Sequence, residues 1–452
     1  MIPGARRPAT PGPDAPPGTE AATPAPPRRE AWRGARPPAR PDPAPRRARP
    51  AAHAQSAPAS LAALVLVISA CTSRDIVAAA PADSGGAPAY CEGTSPVILR
   101  TSATSRGDGG TAGVNDICTG TVAVRTFPQA LCTCEGYATS TSLVTDSFDS
   151  AAGPYTPGGA SGDVAIDGAV QSNARVDIGG ALVIAGAAGA TLHADLRVAR
   201  DLAVAGPLGT GVDVSVRGNA RLAAAVDLAA LTVAGTLTVP PGAGLPGTVT
   251  AGNVVRAPVA VAPPCACGTA DLLDLSAIIS GHRSDNQDAV IGLLPDRLTD
   301  FHGAITLDLP CGVYYVGPVR GDGALTLRIT GRVALLVDGD VALTAPWTVE
   351  LATDDAELDL MIGGLVSSDH AIIIGRADHP ARTRVYVGGS GTMNLSGDSQ
   401  LAANLYAPRA AVALSGGATV HGSLFVRRLD QAAPITIHYD VDVRRADVAC
   451  PP

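Results

Sequence analysis

Cysteines are the residues of this sequence whose type and spacing carry the most chemistry. Nine are present, and the first is Cys71. The other eight are Cys91, Cys118, Cys132, Cys134, Cys265, Cys267, Cys311 and Cys450. An even number of cysteines in an exported chain predicts disulfide bonds, whose connectivity the spacing leaves open. Residues i and i+2 of a strand point the same way, so each Cys-x-Cys pair favours partners elsewhere over an internal bond.

The two Cys-x-Cys pairs could alternatively form a four-thiolate metal site. Structural zinc more often uses a spacing of two to four residues between cysteines, and no histidine lies near these pairs in the sequence. We therefore predict disulfides and no metal ligand. These bonds would clamp the cysteine-rich residues 91–135 and a mid-chain insertion onto the core.

Cys71 stands in a different context from the other cysteines. Arg46, Arg47 and Arg49 precede an apolar run, Leu61–Ile68, of about eight residues, far short of the roughly 20 that span a bilayer. The run ends in Ile68-Ser69-Ala70-Cys71, which resembles a bacterial lipobox. The resemblance implies lipid transfer to the Cys71 thiol, cleavage before it and acylation of the new amine. Several acyl chains would anchor the protein to a membrane. An ordinary signal peptide with a stray cysteine is the alternative.

Residues 1–58 differ in composition from everything that follows. They hold 16 of the 38 prolines and ten arginines. Such a stretch cannot bury a core, so we expect either a disordered leader or upstream DNA translated from a mis-assigned start, and we favour the second. Removing the +6 of residues 1–70 from the net charge of −8 leaves an exported chain at −14. Thr72 follows Cys71 where Asp would favour inner-membrane retention, so we predict the outer membrane of a Gram-negative cell envelope.

His438 and Asp440 are the first candidates for catalysis. They stand at i and i+2 in an apparent strand, so they share a face and could orient a general base. No serine or cysteine nucleophile accompanies them in the sequence. A surface pair closing the last coil of the fold is the interpretation we prefer.

Carboxylate clusters and a glycine-rich segment give weaker signals. Asp338/Asp340 and Asp354/Asp355 could serve a polysaccharide lyase or hydrolase, or Ca²⁺, but Asp-Gly is also ordinary turn sequence. Gly388–Met393 resembles the start of a calcium-binding nonapeptide, with Met393 where the liganding Asp should stand. The sequence therefore predicts no catalytic residue, no metal site and no cofactor.

The composition excludes some classes of partner. The chain has 452 residues with 33 basic and 41 acidic side chains, and all of the basic ones are Arg. An acidic chain without clustered cations does not fit a nucleic-acid backbone, so we expect no nucleic-acid partner. Only 3% of residues are aromatic, too few for platforms that stack bases or sugar rings.

Internal repeats predict the fold. Four segments that begin at Val176, Leu196, Val214 and Leu231 share an apolar-x-apolar pair followed by a polar or glycine-rich break. Their starts follow one another at intervals of about 17–20 residues, which is the range of short solenoid repeats. This is strand patterning with turns between strands. Short repeats stack because one unit cannot bury its apolar face alone.

A second repeat near the C-terminus supports the same fold. Leu395–Pro408 aligns with Leu414–Arg427 at a constant offset that falls in the same range. Coils of about 17–20 residues without a helical period are typical of an all-β parallel β-helix. Residues 160–262 and 313–450 would supply about a dozen coils, on the order of 55–60 Å of rod. A propeller would need longer units with Trp-Asp signatures, and a sandwich lacks a fixed repeat.

The remaining segments complete the predicted domain organisation. Residues 59–71 form the signal with its lipobox, 72–159 a linker and cysteine-rich segment, and 263–312 an insertion. Leu272, Leu275, Ile278 and Ile279 share one face of a predicted helix within 270–280. We expect this helix to pack on the rod or to cap it. The charged tail after Asp440 predicts a capped C-terminal end of the rod.

The last third of the chain permits one comparison. Arg384–Gly389, Asn394–Gly397, Asn404–Pro408, Gly422–Val426 and Ile437–Asp440 resemble an uncharacterised β-helical domain of myxobacterial lipoproteins, with related domains in pilus-assembly-like proteins. The resemblance implies the fold and a location in the cell envelope, but it implies no enzymatic activity. The coils also resemble bactofilins, which are polymer-forming β-helices, in architecture alone.

Three functions remain open at this point. The first is a non-catalytic, lipid-anchored envelope solenoid that serves surface structure, adhesion or assembly. Its partner would be a membrane, and one open end would allow self-association. The second is a carbohydrate-active enzyme with a groove of carboxylates, Arg and aromatic residues. The third is a module that binds an envelope glycan or protein.

Overall fold

The computed structural model describes residues 75–76, 88–102, 114–395 and 399–451, which belong to one unit of the chain, 70–452. Cys71, the signal that precedes it and the leader 1–58 lie outside the described residues.

Eighteen described strands precede the mid-chain insertion. They are β1 (Asp75–Ile76), β2 (Ile98–Ser102), β3 (Val114–Cys118), β4 (Leu131–Thr139), β5 (Leu143–Phe148), β6 (Val164–Ile166), β7 (Ala169–Ser172), β8 (Val176–Ile178), β9 (Leu182–Ile184), β10 (Ala190–Leu192), β11 (Leu196–Val198), β12 (Leu202–Val204), β13 (Leu208–Gly209), β14 (Asp213–Val216), β15 (Ala220–Leu222), β16 (Val226–Asp227), β17 (Ala230–Val239) and β18 (Thr248–Arg256).

Seventeen more described strands follow the insertion. They are β19 (Ile305–Leu309), β20 (Gly312–Val316), β21 (Val319–Gly321), β22 (Leu325–Ile329), β23 (Arg332–Val337), β24 (Val341–Leu343), β25 (Trp347–Leu351), β26 (Glu357–Ile362), β27 (Val366–Ser368), β28 (Ile372–Gly375), β29 (Thr383–Val387), β30 (Gly391–Leu395), β31 (Gln400–Ala402), β32 (Asn404–Leu414), β33 (Ala418–His421), β34 (Leu424–Gln431) and β35 (Ile435–Asp440).

Helices are short and few in the described part of the chain. They are α1 (Ala89–Glu92), α2 (Thr119–Thr126), α3 (Leu275–Gly281) and α4 (Asp288–Ile291), with 3-10 turns η1 (Pro380–Arg382) and η2 (Val441–Arg445). None of these helices has the length and apolar content needed to cross a membrane.

The strands build a parallel β-solenoid, which confirms the predicted fold class. Thirty of them form one sheet whose paired strands run parallel and turn through 333° about a common axis. A three-stranded parallel sheet of β21, β24 and β27 completes one side, and β2 and β3 form a separate antiparallel hairpin.

The strand register confirms the repeats seen in the sequence. Val176 pairs with Leu196, Leu196 with Val214 and Val214 with Leu231, so the intervals between these repeats are coil lengths. The C-terminal offset is a coil length as well, because Leu395 pairs with Leu414. The coils after the insertion begin longer, since Val333 pairs with Leu358.

The coils stack in an order that differs from their order along the chain. Strands β34 and β35 pair with β4 and β5, and these in turn pair with β6, β7 and β8. Residues 131–148, which the sequence assigns to the linker and cysteine-rich segment, therefore supply the coil that joins the two repeat blocks. No local repeat marks this coil, because Leu131 pairs with Leu424 at one edge and with Val164 at the other.

Alternation of side chains explains why these short strands form coils. In β11 the side chains of Leu196 and Val198 are buried at 2% exposure, while Arg197 between them points outward. Each buried aliphatic side chain contributes about 1.5–3 kcal/mol relative to an exposed one. One coil leaves its apolar edge open, so stability grows as coils stack.

Four disulfides tie peripheral segments to the coils, and they use all eight cysteines that follow Cys71. The pairs are Cys91–Cys311, Cys118–Cys450, Cys132–Cys265 and Cys134–Cys267. Each Cys-x-Cys pair bonds to the other, 133 residues away in sequence, and so joins the insertion to β4. The cysteine-rich N-terminal segment is joined to the second block and to the C-terminal tail.

The predicted helix of the insertion is present but shorter than expected. It begins after Asp274, whose side chain accepts a hydrogen bond from the Ala277 amide, and it buries Leu275, Ile278 and Ile279. Leu272 packs against the core from outside this helix. The chain re-enters the solenoid at β19, before residue 312.

The prediction that the C-terminal tail caps an end of the rod was wrong. Asp440 ends β35, which pairs along its length with β5, so the tail leaves from the middle of the stack. There η2 contacts α2. Its charged residues lie on the flank because the coil above them comes from residues 131–148, which sequence order could not place.

Candidate functional site

Two recesses lie along one side of the solenoid. The first, of about 420 Å³, is lined by residues of β28, β31 and β33 and ends at His421. The second, of about 730 Å³, begins at Asp146 and runs over β8, β11, β14 and β17. Because β28, β31, β33, β35, β5, β8, β11, β14 and β17 are successive neighbours in the sheet, both recesses belong to one face, which we call the recessed face.

Four side chains between the two recesses form a compact group, the histidine cluster: His421, His438, Asp146 and Tyr155. The Nδ1 atom of His438 lies 2.7 Å from Oδ1 of Asp146, and the Tyr155 hydroxyl donates to Oδ2 of the same carboxylate at 2.7 Å. The rings of His421 and His438 have centroids 4.9 Å apart, and Tyr155 lies over His438 at 4.1 Å.

Strand register explains how distant residues meet in this cluster. His421 on β33 pairs with His438 on β35, and His438 pairs with Asp146 on β5, so the three side chains occupy one position on consecutive parallel strands. Tyr155 reaches the cluster from the segment 149–163, which returns to the sheet where Gly159 forms a bridge with Ser147. Phe148 packs edge-on against Tyr155 at 5.4 Å and helps to hold that ring.

Burial and hydrogen bonds shift the protonation behaviour of the cluster. Burial alone would raise the pKa of Asp146, but the hydrogen bonds from His438 and Tyr155 outweigh it and lower that pKa below its ordinary value. Burial lowers the pKa of His421, and neighbouring His438 lowers it further. Burial and the Asp146 carboxylate raise the pKa of the Tyr155 phenol. The cluster therefore favours a carboxylate, a neutral His421 and a neutral phenol near pH 7.

The arrangement holds the segment 149–163 across the recessed face. A His–carboxylate pair could orient a general base, but here Tyr155 occupies the second carboxylate oxygen and covers the His438 ring. Nδ1 of His421 is buried and has no hydrogen-bond partner in the described structure. The contacts thus do not favour an exposed catalytic base. They favour a closure, which we call the latch, in which Tyr155 of the segment 149–163 is held by Asp146 and His438.

The predicted His438–Asp440 pair is not formed. Asp440 is fully buried and accepts hydrogen bonds from the backbone amides of Ser150, Ala381 and Asp442. His438 instead finds Asp146, 292 residues away in sequence. Sequence reasoning missed His421, although it precedes His438 by one coil length and that spacing could have placed the two side by side.

The other carboxylates singled out in the sequence have structural partners. Asp338 accepts hydrogen bonds from Tyr315 and Arg283, and Asp340 accepts one from the Leu365 amide at 2.8 Å. Asp354 pairs with Arg376 at 2.9 Å, and Asp355 accepts a hydrogen bond from the Thr353 side chain.

The calcium-binding resemblance at Gly388–Met393 also has a structural outcome. The side chain of Met393 is buried at 3% exposure, in β30. The position where a liganding Asp would stand is therefore part of the apolar core.

One group of potential metal ligands is already committed to other bonds. Asp167, Cys265 and Cys267 place their ligand atoms within 4.8 Å of one another. Both sulfurs are in disulfides, and Asp167 accepts a hydrogen bond from the Cys265 amide at 3.1 Å. A cysteine binds zinc as a free thiolate, which these disulfide sulfurs are not, so the three residues support a structural joint between the insertion and the coils.

The fold defines the chain as a parallel β-solenoid with a recessed face, and a comparison with protein families adds one further fact. Residues 275–446, from the start of α3 to just after η2, match the model of a domain of unknown function (DUF7305). The match covers the second repeat block and the helix that packs on it. No curated protein and no solved structure matches the chain.

The lowered pKa of His421 predicts that the stability of the fold depends on pH. A group whose pKa is lowered by folding stabilises the fold above its unfolded pKa, and that contribution is lost as the pH falls through the folded value. For His421 the loss begins below about pH 6.5. We expect the melting temperature to fall between pH 7.5 and pH 5, and we expect His421→Leu to reduce this fall by removing the proton acceptor.

The measurement is thermal unfolding followed by circular dichroism at both pH values. His193 is exposed in the turn that follows β10, so His193→Leu is a matched control that should keep the full pH dependence of the parent. An unchanged pH dependence in His421→Leu would contradict the conclusion that burial of His421 in the histidine cluster sets this pH dependence.

Proposed function

We propose that this protein is a lipid-anchored, non-catalytic scaffold of the bacterial cell envelope, held in the outer membrane through Cys71. The observation that carries the proposal is the use of all eight remaining cysteines in four disulfides. Stable disulfides form in oxidising compartments, which agrees with export. The bonds join segments 133 to 332 residues apart and tie the outer segments to the solenoid and to one another.

The recessed face supports a structural role over a catalytic one. The His438–Asp146 pair on this face is engaged by the protein's own Tyr155. Farther along it, the Arg175 guanidinium and the Asp177 carboxylate neutralise each other at 2.8 Å. A face on which these charged groups are already paired within the chain suits spacing, adhesion or assembly on the envelope.

The anchor is tested with Cys71→Ser in the full chain, expressed in a Gram-negative host and labelled with radioactive palmitate. We expect the parent to carry label and to sediment with membranes, and the variant to carry none and to leave the membrane fraction. Ser69→Ala keeps a small residue two positions before the cysteine and should behave like the parent. Retention of Cys71→Ser in membranes would contradict the anchor, and non-reducing electrophoresis checks that its disulfides have formed.

A carbohydrate-active enzyme is the second candidate, and the His438–Asp146 pair between two recesses favours it. An opened latch would expose that pair to a polymer lying along the face. Incubation with a panel of acidic polysaccharides, followed by product analysis, separates the two functions. Turnover that is lost in His438→Ala would establish the enzyme, whereas an inactive parent would favour the scaffold. A glycan- or protein-binding module would show binding without turnover.

A further inference from the structure

The two ends of the solenoid differ in whether other segments of the chain cover the outer edge of their last strands. At the β19–β21 end, β1 pairs with β19, so that Asp75 lies opposite Thr306. The insertion continues this cover over β20: the Gln287 amide donates to the Val313 carbonyl at 2.8 Å, and Oε1 of Gln287 accepts from the Val313 amide at 2.6 Å. This end has partners for its backbone.

Apolar side chains close the same end. Leu298 and Phe301 are buried at 1% and 5% exposure, and the Arg320 amide on β21 donates to the Leu298 carbonyl at 2.9 Å. The insertion thus acts as the cap that the sequence left as one of two alternatives. A further coil could not stack here without displacing it.

The other end of the solenoid is β18, and it is open. Strand β18 pairs with β17 along one edge, and no other segment of the described chain pairs with its second edge. Val254 and Val255 are 45% and 38% exposed. The whole length of this strand therefore presents unpaired backbone groups next to exposed valines, and such an edge is a template for another strand.

The apolar interior also ends uncovered at β18. Leu231, Val233 and Leu237 of β17 point inward and are at most 1% exposed. Their register partners on β18 are Val249, Ala251 and Val254, which lie at the top of the same columns without a coil above them. Covering these side chains would extend the core.

Strand β18 lacks, over all but its last residue, the devices that usually protect an edge. Natural edge strands carry charges or proline that block pairing. Residues 248–255 contain neither. Arg256, at the end of the strand, carries a charge in the column above the buried Val239, and its guanidinium donates to the carbonyls of Pro240 and Ala243. The backbone groups of residues 248–255 are therefore free to pair with an uncharged strand.

The inward and outward pattern of β18 fits a second copy of itself. The pattern changes phase at Gly252, where the register with β17 shifts. A two-fold axis between Gly252 and Asn253 places Ala251 opposite Val254 and Thr250 opposite Val255. It also places Val249 opposite Arg256, whose guanidinium is already held by carbonyls of its own chain. In this antiparallel register, inward side chains face inward ones and outward side chains face outward ones, as paired strands require.

We propose that two copies of this protein join end to end through β18, with antiparallel pairing of the two strands about a two-fold axis. Among the residues that the structure describes, those at the β18 end alone leave a strand edge open, so the assembly closes at two copies and does not grow into a filament. The dimer would be a rod of doubled length whose two capped ends point outward. This inference concerns the β18 end alone and does not depend on how the chain is anchored.

The test is the mass of the full disulfide-bonded chain, purified in mild detergent and measured by light scattering over a range of concentrations, with the detergent contribution subtracted. We expect twice the chain mass. Val254→Lys places a charge on the inward column of the open end, and we expect its dimerisation to weaken by at least about tenfold, which corresponds to about 1.4 kcal/mol. Val448→Lys is the matched control, since Val448 is 80% exposed in the C-terminal tail. It should dimerise like the parent.

Three results would overturn the proposal. A parent that stays monomeric at high concentration shows that β18 is not an interface. Species larger than two show that the β19–β21 end also assembles. Dimerisation of Val254→Lys with parental strength places the interface elsewhere. Circular dichroism and an intact set of disulfides verify that each variant is folded, so that a monomer reports the interface and not unfolding.

Discussion

Replacing Asp359 by Ala is expected to lower the free energy of unfolding by about 3–5 kcal/mol. The carboxylate is fully buried on β26 and holds the Arg384 side chain of β29, which is 1% exposed. Nε and Nη2 of Arg384 donate to the two carboxylate oxygens at 2.6 and 2.8 Å. Removing Asp359 takes away one of the two carboxylates that compensate the buried guanidinium, and this loss of compensation costs more than the lost hydrogen bonds.

The surroundings of Arg384 explain why the charge cannot be discharged by losing a proton. Burial would lower the pKa of the guanidinium, but the Asp359 and Glu357 carboxylates outweigh it and hold that pKa well above its usual value. Arg384 also donates to the Ala381 carbonyl at 3.1 Å. The variant Asp359→Ala therefore keeps a buried cation, with Glu357 as its remaining carboxylate partner.

A double variant separates the charge effect from lost packing. Asp359→Leu with Arg384→Met removes both ions and keeps most of the volume, and such replacements are often neutral. We expect it to recover most of the stability lost in Asp359→Ala. Denaturant unfolding followed by circular dichroism, with the disulfides intact, gives both values. A loss below about 1 kcal/mol in Asp359→Ala would contradict the role of the pair.

This buried pair also helps to position the recessed face. Asp359, Arg384 and Asn404 lie opposite one another on β26, β29 and β32. Asn404 donates to the Pro380 carbonyl at 3.0 Å, at the start of η1. In η1 the Ala381 amide donates to Asp440, which ends the strand that carries His438. Hydrogen bonds thus connect the core pair, through Ala381, to Asp440, which lies two residues after His438 on β35.

Local patterns in the sequence were enough to predict the coil but not the order of coils. Val176 and Leu196 are one coil apart along the chain, so their repeat is visible as a fixed offset. The coil at β4 stacks between strands that lie far from each other in sequence, since Leu131 meets Leu424. A sequence repeat identifies strands that pair because they lie one coil apart along the chain. It does not identify pairs such as β34 with β4, in which the stacking order differs from the chain order.

In the candidate site, too, some contacts follow from the coil length in the sequence and others only from the stacking order of the coils. His421 and His438 are one coil apart, and coil length alone brings them together. Asp146 joins them only because β5 stacks on β35, and Tyr155 joins because the segment after β5 folds back. Asp440 was chosen for its closeness in sequence, yet its carboxylate turns to buried backbone amides. The even number of cysteines predicted the disulfides, whereas their pairing needed the three-dimensional stack.

Replacing Gly168 by Ala is expected to lower the free energy of unfolding by about 3 kcal/mol or more, because it disturbs this junction between blocks. Gly168 lies at the corner between β6 and β7, where a Cβ atom would stand 1.2 Å from the Glu135 carbonyl oxygen and 2.0 Å from its carbon. Both are backbone atoms of the coil below, so relief requires the corners of two stacked coils to separate. Cys134, next to Glu135, is bonded to Cys267 and restricts that movement.

Gly244→Ala is the matched control for this corner. A Cβ there meets no atom within 4 Å, and its backbone is outside the region that favours glycine, so the change should stay within about 0.5 kcal/mol. Denaturant unfolding of both variants and of the parent gives the comparison, with non-reducing electrophoresis as a check on Cys134–Cys267. If Gly168→Ala were as stable as Gly244→Ala, the corners of the coils would have room to move. The tight stacking of β4 under the first block would then not hold the two blocks in one rod.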